Sequence, residues 1–304
     1  MRMPTATVAL LGLLGTLVGA CGPEETVSSD RLTIGVVSYG ESEISMDRYQ
    51  RFQNFLAEQT QIPIDLEVAY NELKAVEEID RSNWDIVFAP PGLAAIADRR
   101  GYTQLFPLEN QGRAKFGLIL VRADSDIDEL SDLQDEVIAL GERGSAAGYY
   151  LPLYDLYGLT LEEVRFAPTP KTVLEWLEQE EVVAGALAEN DYENYKAEFE
   201  PGAFRVLHRS RAIPPGVVLL GAVERNQAEF ISRVMAEAPA DIAGDAQYIP
   251  GAQLPSYDHF IQIVDKIRPL EDRVQQQPAT LTMDDVGPEK GEEEASEEFL
   301  GDDT

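Results

Sequence analysis

The sequence predicts an α/β chain of two lobes, each a mixed sheet flanked by helices. Three observations carry this. Strand-like and helix-like runs alternate as β-α-β-α-β-α over the first third of the body, the pattern of parallel strands joined by helical crossovers. The chain has 304 residues, and the roughly 284 left after an apolar leader approach the size at which a single core gives way to two. Strand-like runs after residue 200 then return the chain to where it began.

The elements follow in order. Leu32 to Val37 is a β-rich run ending in the polar loop Ser38-Tyr39-Gly40-Glu41-Ser42. Met46, Tyr49, Phe52, Phe55 and Leu56 recur at spacings of three and four, one face of a helix, closed near Pro63. Ile64 to Ala69 alternates as a strand, Glu72 to Arg81 reads as a helix, and Trp84 to Ala89 is a third strand stopped by Pro90-Pro91-Gly92. Leu93 to Arg100 is helical. Phe116 to Arg122 is a long apolar strand, the expected crossing into the second lobe. There Val137 to Leu140 is a strand, Gly141 to Gly148 a glycine-rich loop, and Tyr149 to Leu156 a helix. Val164 to Phe166 and Val182 to Leu187 are strands around a helix over 172–180. Phe204 to Leu207 and Val217 to Leu220 read as strands rejoining the first lobe, and helices near 225–237 and 256–267 finish it. The expected organisation is a leader over 1–20, a spacer over 21–31, lobe one from 32–120 and 201–268, lobe two from 121–200, and an acidic disordered tail over 269–304.

The leader has its own chemistry. Residues 8–20 form a short apolar run behind Arg2, and Val18-Gly19-Ala20-Cys21 follows the pattern of a bacterial lipoprotein signal, with lipid attached to Cys21. The run is too short for the ~20 residues that span a bilayer. A plain secretory signal and a retained anchor are the alternatives. Cys21 is the only cysteine, so the body holds no internal disulfide. The expected location is periplasmic or otherwise extracytoplasmic, tethered to the cell membrane through the lipid.

The net charge of −31, from 55 acidic and 24 basic residues, argues against nucleic acid and anionic lipid as partners. Ten of the acids fall in residues 284–304, which carry little to bury and read as a solvated tail, with docking to a partner as the alternative. The histidines His208 and His259 lie far apart, and no nucleophile elbow, phosphate loop or dinucleotide fingerprint is present. The reading is a protein that is not an enzyme and needs no metal or cofactor.

Several segments together resemble the phosphate/phosphite/phosphonate-binding lipoproteins of ABC importers, a group of type II periplasmic solute-binding proteins. They are Leu32–Tyr39, Ala69–Glu72, Trp84–Pro91, Val121–Ile127 with Asp132-Leu133, Gly144–Pro152 and Ser210–Pro215. The likeness spans roughly residues 32–265. It implies the two-lobed periplasmic-binding-protein fold with a ligand cleft between lobes, an ABC permease as partner, and a monomer that binds a small polar or oxyanion ligand. The expected binding positions are Tyr70 and Ser145, the clearest the resemblance keeps, with Ala146 beside Ser145, Tyr39 on the carboxyl edge of the first strand, and Thr169 in place of the family's histidine. The family's run of hydroxyls is reduced here to Ser145 before Ala146-Ala147. The histidine after the next strand gives way to Ala167-Pro168-Thr169, and the strand at Val182–Leu187 lacks the aspartate that pairs with a ligand amine.

Each residue also has a plainer reading. Ser145 either caps the helix that follows or donates its hydroxyl to a bound oxyanion. Tyr39 is a cleft aromatic or a surface residue, and Thr169 a hydrogen-bond donor or a loop residue. Glu189 to Tyr192 faces the cleft or belongs to the hinge. Arg113 and Lys115 supply positive charge or are simply solvated. The alternative function is a sensory or structural lipoprotein whose degenerate cleft engages a protein partner.

Overall fold

The computed structural model describes residues 31–37, 44–109 and 116–282. In the first half, β1 (Leu32–Val37), α1 (Ile44–Thr60), β2 (Ile64–Ala69), α2 (Glu72–Asp80), β3 (Ile86–Ala89), α3 (Pro91–Asp98) and β4 (Thr103–Pro107) follow one another. Then come β5 (Gly117–Arg122), β6 (Val137–Gly141), a π-type turn over Ala146–Tyr150 running into α4 (Leu151–Asp155), β7 (Thr160–Leu161), β8 (Glu163–Ala167), α5 (Pro170–Glu178), β9 (Ala184–Ala188) and α6 (Glu189–Tyr195). The chain returns through β10 (Phe204–Arg209), β11 (Val217–Leu220), α7 (Arg225–Ala236), α8 (Ala240–Asp245), α9 (Asp258–Ile267) and β12 (Ala279–Thr280).

The strands build two five-stranded mixed sheets, ordered β2-β1-β3-β11-β4 and β10-β5-β9-β6-β8. Each holds a parallel trio, β2-β1-β3 or β8-β6-β9, beside a strand that runs the other way. The two-lobed α/β class expected from the alternation is the class found. Two details differ. Phe204–Arg209 pairs with β5 in the second sheet rather than rejoining the first, and β5 is itself a member of that sheet. Residues 269–282 are also no tail: Leu270, Val274, Ala279 and Leu281 are buried, and β12 pairs with β7. Residues 283–304, the leader and Cys21 lie outside the described residues.

Apolar residues segregate into three layers. One cluster, with Phe52, Phe88 and Tyr248, backs the first sheet; another, with Leu118, Leu174 and Leu177, backs the second. The third lies between the sheets and draws on both, joining Val76, Leu93 and Ile96 to Tyr149, Tyr150 and Leu151. Phe260 of α9 belongs to it, edge-on to Tyr150.

The return crossing is fixed at Ser210, whose Oγ accepts from the Gly117 backbone N–H at 2.8 Å and donates to the Arg211 carbonyl at 2.8 Å. The hydroxyl ties the start of β5 to the end of β10, where the lobes join. Removing it leaves a buried N–H unpaired, so Ser210→Ala should lower stability by about 1–3 kcal/mol. Urea unfolding measures this, and an unchanged midpoint would show that water replaces the hydroxyl.

Candidate functional site

In open α/β sheets, ligands collect at the carboxyl ends of the parallel strands. Here those ends face one another across the lobes and enclose a cleft of about 50 Å³, lined by Glu72 on the first lobe and by Glu142, Ser145, Thr169 and Asp191 on the second. The reason is local. β2 runs into Asn71, whose side chain caps α2 by accepting from the Lys74 N–H at 2.9 Å, which sets Glu72 in the helix's first turn. β6 ends at Gly141-Glu142; β8 ends before Thr169, the cap of α5; β9 leads directly into α6 and Asp191.

Ser145 acts as a cap. Its Oγ accepts from the Gly148 N–H at 3.0 Å, and its carbonyl takes the N–H groups of Tyr149 and Tyr150. Ala146, behind it, is buried and does not line the cleft. A β-carbon placed on Gly92 at the start of α3 would come within 2.9 Å of the Ala146 nitrogen and would overlap the Gly144 carbonyl oxygen. The start of the second-lobe helix is therefore covered by the first lobe. Thr169 caps α5, accepting from the Thr172 N–H at 3.2 Å with its hydroxyl 2.8 Å from that of Thr172. Tyr70 lies on the rim, 73% exposed and away from the cleft lining. Tyr39, Glu41, Ser42, Arg113 and Lys115 fall outside the described residues. Of the expected binding positions, then, Ser145 and Thr169 come together in the cleft. Of the Glu189–Tyr192 run, Asp191 lines it, while Glu189 pairs with Arg209 at 2.6 Å.

Sequence reasoning did not single out Glu72 and Glu142. Burial raises the Glu142 carboxyl, an effect that the Leu73 backbone N–H of the first lobe offsets in part. Its Oε2 is buried with no hydrogen-bond partner among the described residues, as is Oδ1 of Asn190. Asp191 is pushed up to about 6 by burial. Between its ordinary value of 3.8 and about 6, the folded chain holds a proton that the unfolded chain has released. Its contribution to stability is therefore most favourable below that window and falls as pH rises through it, by up to roughly 3 kcal/mol. Asp191→Asn should accordingly stabilise the protein at pH 7.5 by about 1–3 kcal/mol, with the gain closing below pH ~4. Urea titrations at several pH values read this out, and a variant less stable than wild type at pH 7.5 would refute it.

The match that decides the family covers residues 34–247: the model of the periplasmic substrate-binding proteins of phosphonate ABC transporters. The chain belongs to this family. Solved structures share the fold of this substrate-binding protein at low identity. XAC2383 from Xanthomonas citri, bound to ATP, is 18% identical with a TM-score of 0.66, over 79% of this chain and 99% of that one. PhnD1 from Prochlorococcus marinus, in complex with methylphosphonate, is 13% identical with a TM-score of 0.60, over 79% and 98%. A binding-protein component of an ABC phosphonate transporter from Pseudomonas aeruginosa is 15% identical with a TM-score of 0.58, over 80% and 87%. A comparison with curated protein sequences gives no match. Among the described residues, no helix is long and apolar enough to cross a membrane.

Proposed function

We propose that this chain is the solute-binding component of an ABC importer, held outside the cytoplasm by a lipid on Cys21, and that it delivers a small polar solute to a membrane permease without chemistry on that solute. The observation that carries this reading is the cleft at the facing carboxyl ends of two sheets, in a chain of the phosphonate-binding family. By resemblance the ligand class is phosphate, phosphite or phosphonate, held in the cleft near Ser145 and Thr169. The protein works as a monomer.

A thermal-shift panel on the mature chain tests the function. A solute at 100 times its dissociation constant adds ~2.7 kcal/mol of stability, an unmistakable rise in Tm. A panel without any such rise would favour the alternative of a lipoprotein that engages a protein partner. The anchor has its own test. Labelling cells with a fatty-acid analogue should mark the wild type, and Cys21→Ala should lose the label and leave the membrane fraction. A label that survives the substitution would refute lipidation at Cys21.

A further inference from the structure

We infer that the acidic end of the chain, residues 283–304, docks on a basic and aromatic patch of its own body, where the two lobes join. Three elements build the patch. Lys266 and His259 lie on the exposed side of α9, Tyr154 and Tyr157 at and just after the end of α4, and Arg211 on the return crossing beside Ser210. None of these residues lines the cleft. Lys266 Nζ stands 4.2 Å from the centre of the Tyr157 ring and 4.9 Å from that of Tyr154. The Arg211 guanidinium stands 4.7 Å from the centre of the Tyr154 ring and donates to His259 Nε2. Two cations thus share one ring, whose face attracts positive charge and holds both in place. The patch straddles the junction: α4 belongs to the second lobe, while Phe260 and Ile263 of α9 pack in the apolar layer between the sheets.

Two observations name the occupant. The first is charge. Among the described residues, neither Arg211 nor Lys266 pairs with a carboxylate. The acids close to them in the chain or in the fold are engaged elsewhere: Asp265 pairs with Arg99 and Arg268, Asp155 with His208, and Glu271 with Arg143, while Asp258 accepts from the Ser256 hydroxyl. On a chain of net charge −31, cations left without carboxylates attract an acidic segment that the rest of the body repels. The second is where the described chain ends. The Leu281 N–H donates to the Leu159 carbonyl at 2.8 Å, and the Leu281 carbonyl accepts from the Gly158 N–H at 3.0 Å. Arg273 Nη1 holds the Thr282 carbonyl at 2.5 Å. The chain therefore leaves the body beside Gly158, the neighbour of Tyr157 and so of Lys266. Asp284 and Asp285 follow three and four residues after Leu281, a reach of at most roughly 10–14 Å. Eight further acids and a single base, Lys290, follow by residue 304.

The test is carbodiimide cross-linking of the full mature chain, which joins a lysine amine to a carboxylate in direct contact, read by peptide mass spectrometry. Links from Lys266 to Asp284 or Asp285 follow from chain proximity alone, so the deciding products are those to the distal acids, Glu292 to Asp303. The expected result is that these acids link to Lys266, within one molecule, in preference to Lys74, Lys171 and Lys196. Raising sodium chloride from ~0.01 M to ~1 M shortens the Debye length from ~30 Å to ~3 Å and should cut that yield on the order of tenfold. Arg211→Gln leaves Lys266 to report and should cut it severalfold, with Tm unchanged because Arg211 is exposed. If the distal acids link to all four lysines without preference, the segment is not docked and the inference fails. If mixing isotopically light and heavy protein shows the Lys266 links to form only between molecules, the occupant is a second copy and docking within the chain is overturned. If the links survive both high salt and Arg211→Gln undiminished, this patch does not hold the segment by charge, and the inference is overturned.

Discussion

Gly92→Ala is expected to weaken binding of any solute that raises the wild-type Tm by on the order of 100-fold, equivalent to about 2.7 kcal/mol. The added methyl would overlap the Gly144 carbonyl oxygen and approach the Ala146 nitrogen to 2.9 Å. Both are backbone atoms, and Gly144 is itself held at φ +108 against Val76 and Leu93, so it cannot retreat without moving the loop that carries Glu142. The lobes must part by an ångström or more at this point. Glu142 would then move away from the first-lobe side of the cleft, which Glu72 lines. Each sheet keeps its own core on its outer face, so the lobes should stay folded. Small-angle scattering should show a larger radius of gyration for the variant, with or without solute. Wild-type affinity and wild-type scattering together would show that this contact plays no part in closing the cleft.

Gly35→Ala should cost about 3 kcal/mol, near the upper end for overpacking a core, or a fall in Tm of several degrees. Gly35 lies in the middle of β1, hydrogen-bonded between β2 and β3, and a β-carbon there would fall inside the Trp84 ring. Trp84 has nowhere to go. It is 1% exposed, its Nε1 donates to Glu67 Oε2 at 2.9 Å, and its carbonyl accepts from the Tyr102 hydroxyl at 2.7 Å. The strand cannot move either without breaking its pairing with both neighbours. Chemical denaturation measures the loss. A change below 0.5 kcal/mol would mean that the ring tilts freely within its pocket, contrary to a core packed at native density.

Much of the architecture was legible because it rests on local period. The alternation of Leu32–Val37, Ile64–Ala69 and Ile86–Ala89 with helical faces specifies parallel strands and crossovers in consecutive residues. The place of β10 is not legible for the complementary reason. Phe204–Arg209 looks like any half-buried strand, and its choice of β5 as partner is made by the second sheet as a whole. Residues 269–282 read as tail in the sequence because Leu270, Val274, Ala279 and Leu281 are thinly spaced among polar residues, without a helical or alternating period. Their burial comes from docking onto finished structure, with β12 pairing to β7. In the cleft, Ser145 and Thr169 could be found because a hydroxyl at a strand–helix junction is a local signal. Glu72 and Glu142 could not, since one carboxylate among 55 acidic residues carries no mark of its burial. Only the fold distinguishes these from acids that face water.

The apolar seam shared by the lobes changes what binding and release require. A hinged protein whose lobes meet only through a wet cleft rests open and closes when its solute arrives. Here, parting the lobes would uncover Leu93, Ile96, Tyr149 and Tyr150, at about 25 cal/mol for every Å² of apolar surface returned to water. The seam therefore favours the closed arrangement by itself, and a solute that binds there spends little of its affinity on holding the lobes together. The cost falls at the other end of the cycle. Release then has to expose that same seam, so the cost of opening falls on letting go rather than on binding.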